Sequence, residues 1–71
     1  MTTELDRMLA IIPQCDDWTL TAALVDIRAA DLDRLKPEAL DALTTLRAHI
    51  IAEMGERTAR AYVEAHGALM H

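Results

Sequence analysis

Apolar residues near the start of the chain recur at helical spacing. Leu5, Met8, Leu9 and Ile12 fall at i, i+3, i+4 and i+7, a single stripe along one helix face. Thr2 and Thr3 precede it as N-cap residues, and Glu4 and Asp6 fill the first turn, where the helix dipole favours negative charge. Pro13 ends the stripe. A helix this short is marginal in water, so it must lie against another element.

Asp16 or Asp17 caps a second predicted helix, starting at Trp18 and ending near Ala30 or near Leu35. The two ends differ in whether Asp31 through Leu35 continues the helix or forms a turn of its own. At 100° per residue, Leu20, Leu24, Ile27 and Leu35 make one apolar zone, and Trp18, Val25 and Leu32 make another. Thr21, Arg28 and Asp31 separate the zones, so the helix is expected to have two neighbours. Opposite both, Thr19, Asp26 and Asp33 align at seven-residue spacing as an acidic ridge.

Lys36 and Pro37 mark the next break, because proline is preorganised for the first helical position and disfavours helical geometry in the residue before it. Leu40, Leu43, Ile50, Met54 and Ala61 then form a stripe, widened by Leu46 and Ile51. Gly55 interrupts it, predicting a helix that is kinked or broken there, with Gly67 closing the last piece. The pattern as a whole gives an all-α fold over residues 1–71, a single helical domain. A short N-terminal helix is followed by an antiparallel helical hairpin, since short connections make consecutive helices antiparallel neighbours.

Composition sharpens this picture. Serine, asparagine and phenylalanine are absent, and glycine and proline occur twice each, which leaves little of the vocabulary of β-turns. A domain of 71 residues draws only a few kcal/mol from its core and usually needs a disulfide, a metal, a second chain or well-idealised packing. Cys15 is the only cysteine, so an intrachain disulfide is impossible. The three histidines, His49, His66 and His71, lack the spacing of a closed metal site, and no cofactor motif is present. Oligomerisation remains, so a homodimeric helical bundle is expected. With no apolar run of about 18 residues and no basic leader, the expected location is cytoplasmic, away from membranes.

The net charge of −5 resides in residues 1–41, where nine acids face four basic residues. Direct nucleic-acid binding is disfavoured, because phosphate recognition needs clustered lysine and arginine. The acidic surface, Asp16, Asp17, Asp26 and Asp33, either keeps the chain soluble or meets a partner with a basic surface.

Catalysis is not expected. Without serine, the nucleophiles are Cys15, seven threonines and Tyr62, none in a recognisable motif. His49 and Glu53 lie one turn apart, a spacing commonplace on exposed helices. Arg47 stands in the apolar stripe of the third helix, either reaching water or Asp31, or fixing an interface. Trp18 either caps the core or is an exposed anchor, and Tyr62 reads as a packing residue with its hydroxyl at the rim. The predicted partner or dimer interface is Trp18, Val25, Arg28, Leu32, Arg47 and Ile51. The function implied is a small acidic protein-binding module, a homodimeric inhibitor, antiactivator or adaptor. The alternative is an obligate small subunit or cochaperone completed by a larger chain.

Overall fold

The computed structural model describes residues 3–67, all of whose regular structure is helical. Helix α1 spans Glu4–Ile11 and is capped reciprocally at its start. The Thr3 hydroxyl accepts from the Asp6 amide at 3.1 Å, and the Asp6 carboxylate accepts from the Thr3 amide at 3.2 Å, which satisfies two otherwise orphaned donors. Thr3 is thus the cap, and Thr2 lies outside the described residues. Past Ile11 the chain tightens into a 3₁₀ turn, Ile12–Gln14, that accommodates Pro13.

Asp16 adopts an extended conformation and caps helix α2, Asp17–Ala29, through a 2.7 Å bond from the Thr19 amide to its carboxylate. Ala30 returns to extended geometry, and a separate 3₁₀ turn, Leu32–Arg34, follows. Of the two ends expected for the second helix, the early one is found. Pro37 opens helix α3, Pro37–Gly67, which at about 1.5 Å per residue is roughly 46 Å long.

Gly55 does not end this helix, so of the kink or break expected there the break is not found. No described glycine has positive φ, so the left-handed cap that would stop the helix is not formed. Glycine inside a helix costs only about 1 kcal/mol relative to alanine, and Ala52, Glu53, Met54, Glu56 and Arg57 around it are good helix formers.

Helices α1 and α2 both pack on α3. Ile12, Leu20, Ile27, Leu46 and Ile50 form the buried core, flanked by Leu5, Leu9, Cys15, Ala23, Leu24, Leu43 and Met54. The stripe of α3 therefore centres on Leu46 and Ile50. Leu40, Ile51 and Ala61 are exposed. From Thr58 to His66 every residue is exposed, so the last turns of α3 project past the body of the molecule. The radius of gyration, 15.3 Å, exceeds the roughly 11 Å of a compact domain of this length.

Candidate protein-binding surface

The entry to α2 is held by a residue far along α3. A short helix ending at a proline turn leaves carbonyls without partners. Here Arg57 supplies partners for Pro13 and Cys15 and a second one for Ile12, whose carbonyl also accepts from the Cys15 amide. Its Nη2 donates to the carbonyls of Cys15 at 2.6 Å, Pro13 at 3.2 Å and Ile12 at 3.4 Å. Nη1 donates to the Asp17 carboxylate at 2.8 Å, and Nε to Glu53 at 3.1 Å. Asp17, then Glu53, holds the guanidinium proton more firmly than in an ordinary arginine. The planar fork suits this task, since one group meets carbonyls and carboxylates in different directions.

This clamp fixes the first turn of α2 and with it Trp18. The indole is 82% exposed, and it lines a shallow hollow of about 240 Å³ with Thr21, Ala22, Val25 and Asp26. Val25 is 60% exposed. Further along α2 and across to α3 lies a larger groove of about 450 Å³, lined by Leu24, Ile27, Arg28, Leu32, Arg47 and Ile51. Four of the six interface residues inferred from sequence, Arg28, Leu32, Arg47 and Ile51, thus share one groove. Trp18 and Val25 lie beside it on the outward face of α2.

Arg47 differs from its expected place. It is exposed, and it stands on the flank of α3 between the buried Leu46 line and Ile51. Its anticipated partner Asp31 pairs instead with Arg34, at 3.1 Å. Neither Arg28 nor Arg47 has an ion-pair partner among the described residues.

The acidic ridge is not continuous. Asp33 sits in the 3₁₀ turn beyond the end of α2, so the helical register that would align it with Asp26 is lost. Asp16 and Asp17 are engaged in capping and in the Arg57 clamp, while Asp26 borders the Trp18 hollow. Thr19, through its side chain first and then its amide, holds the Asp16 carboxyl below the usual range.

Tyr62 is not a packing residue. It is 62% exposed, and its ring stacks on His66 with centroids 4.0 Å apart. His49 and Glu53 do not pair. The His49 ring nitrogen Nδ1 meets the Thr45 carbonyl at 2.8 Å, and Glu53 accepts from Arg57. Cys15 is half-buried, its thiol 3.4 Å from the Ile11 carbonyl. No group of three or more potential metal ligands converges among the described residues, and His71 lies outside them.

Arg57 is the residue that the sequence reading missed. Its signal was present: Leu46, Ile50, Glu53 and Arg57 continue one line at i, i+4, i+7 and i+11, so the charged pair extends the core-facing stripe. No helix among the described residues is long and apolar enough to cross a membrane. No protein-family model matches the chain, and no curated protein or solved structure is similar to it.

Proposed function

We propose that this chain is a small acidic protein-binding module without catalytic activity, a homodimeric inhibitor, antiactivator or adaptor built on an antiparallel helical hairpin and working in the cytoplasm. The observation that carries this reading is the exposed apolar surface of Trp18 and Val25 on α2 and of Leu32 and Ile51 in the α2–α3 groove, which Arg28 and Arg47 also line. Tryptophan and arginine dominate binding energy at protein interfaces, and they gain most where a groove excludes water. A five-residue core gives a single chain little stability of its own, so covering this surface stabilises the fold as well as the complex. The unengaged acid at Asp26 and the excess negative charge of the N-terminal half favour a target with a basic surface.

The test is light scattering coupled to size exclusion, together with thermal melts across a range of protein concentration. A dimer whose Tm rises with concentration is expected. A monomer that melts cooperatively at a concentration-independent Tm overturns the homodimer.

The fully exposed end of α3, Thr58 to His66, favours a second reading, an obligate small subunit or cochaperone completed by a larger chain. In that case the isolated chain is molten, with helical circular dichroism but no cooperative transition.

A further inference from the structure

Trp18 and the groove at the far end of α2 are complementary to each other within one molecule. Trp18 is a large apolar projection flanked in sequence by Asp16 and Asp17, with Asp26 at the edge of its hollow. The groove is an apolar recess with Arg28 and Arg47 at its rim, both without ion-pair partners among the described residues. A projection bordered by Asp26 and a recess with a basic rim, toward opposite ends of α2, are what an antiparallel isologous interface requires. In such a pair, residue i meets residue j of the second copy, and j meets i.

The spacing fits this arrangement. Trp18 lies in the first turn of α2 and Val25 about two turns further on, on its outward side; Leu32 lies beyond the helix's end, in the 3₁₀ turn, where it lines the groove. Two α2 helices laid antiparallel about Val25 bring each Trp18 toward the far end of the other copy's α2, where Arg28 and Leu32 line the groove. Thr21, Ala22 and Ala29 border this line and are small enough to let the helices approach. An indole seated there faces two guanidinium groups, an attractive cation–π arrangement once water is displaced.

The exposed area leaves room for such a contact. The chain exposes 5965 Å², roughly 1,500 Å² more than the ~4,400 Å² of a compact monomer of its mass. A standard interface removes about 800 Å² from each partner, which is less than this excess; the excess also includes the projecting end of α3.

We infer that the chain pairs with a second copy through α2, the Trp18 indole of each copy entering the groove formed by Leu24, Ile27, Leu32 and Ile51 of the other, between Arg28 and Arg47. This inference rests on the homodimer proposed above and specifies its geometry.

Trp18 is the only tryptophan, so intrinsic fluorescence reports on this contact alone. The experiment follows Trp18 emission and acrylamide quenching while the wild-type protein is diluted through its association range, with oligomeric state measured in parallel. It is repeated with Trp18→Ala and Ile51→Asp, each alone and mixed at equal amounts. Emission should shift to the red and quenching should rise as the dimer dissociates. Trp18→Ala should weaken self-association at least about 30-fold, the loss expected for an interface anchor. The mixture should form a heterodimer that neither variant forms with itself, because one intact indole then meets one intact groove. Arg47→Glu, at an exposed position, substitutes for Ile51→Asp if that variant loses its helical circular dichroism. A dimer whose Trp18 stays solvated, or a mixture that stays monomeric, overturns the inference and leaves the binding module standing. A wild-type monomer throughout overturns both.

Discussion

Arg57 and Asp17 stand 40 residues apart in sequence, and their side chains meet at 2.8 Å. The contact ties the start of α2 to the core-facing line of α3, and the same guanidinium holds the Cys15, Pro13 and Ile12 carbonyls. The turn between α1 and α2 is thereby anchored by Arg57 as well as by its own buried Ile12. Its position in turn sets where Trp18 projects, so a residue outside the proposed interface controls the geometry of that interface.

Replacing Arg57 with alanine is expected to lower Tm by more than Asp17→Ala does, because it releases the three carbonyls as well as the carboxylate. Arg57→Lys should recover only part of the loss, since an ammonium lacks the fork that reaches several acceptors at once. Thermal melts of the three variants check the ranking, and hydrogen exchange should show faster exchange at residues 12–17 in Arg57→Ala. Equal melting of Arg57→Ala and wild type would show that the clamp does not support the fold.

Asp16 carries a pH dependence whose sign is fixed by its cap. Its folded-state pKa lies below the ordinary value because Thr19 stabilises the carboxylate, through its side chain first and then its amide. The stabilisation is therefore fully present above the ordinary aspartate pKa of about 3.9, and it is lost as pH falls through the lower, folded value. Asp16→Asn keeps an acceptor for the Thr19 amide but removes the titration. Urea melts of both proteins between neutral and strongly acidic pH should diverge most above that window and converge below it. Parallel curves would remove Asp16 from the acid response.

Where sequence and structure agree, local chemistry decides the outcome. Thr3 and Asp6, Asp16, and Pro37 mark helix starts by interactions within a few residues, so the beginnings of α1, α2 and α3 are legible. Arg28, Leu32, Arg47 and Ile51 line one groove, but helical periodicity did not place Leu32, which sits past the end of α2. Periodicity could not fix where the centre of the α3 stripe lay. Arg47 and Leu46 differ by one position, and only packing against α1 and α2 decides that Leu46 is buried. Arg57 was hidden for a related reason: its partners are backbone carbonyls of a distant turn, which leave no mark in side-chain spacing.

The core is small enough for single truncations to be severe. Leu20 and Ile50 are each 2% exposed, at the meeting of α2 and α3. Truncating a buried leucine or isoleucine to alanine costs about 2–5 kcal/mol, against a total of roughly 4–10 kcal/mol for a chain this long. Leu20→Ala and Ile50→Ala should therefore lack a cooperative transition at 37 °C or show a much lower urea midpoint. Retention of the wild-type midpoint by either would place the stabilising contacts elsewhere, in the contact with a second chain.

Gly55 offers the converse case. It lies inside α3, its φ is negative, and a Cβ built there meets nothing within 4 Å. Alanine at this position narrows the unfolded ensemble and favours the helix, so Gly55→Ala should stabilise the protein by about 0.5–1 kcal/mol. For a domain of this size, that is a rise in Tm of roughly 2–8 °C. Because the inferred dimer contact runs through α2, the substitution should leave the association constant and the Trp18 emission unchanged. A fall in dimer affinity without loss of helix would place a second chain close against Gly55, and would move the interface from α2 to the projecting half of α3.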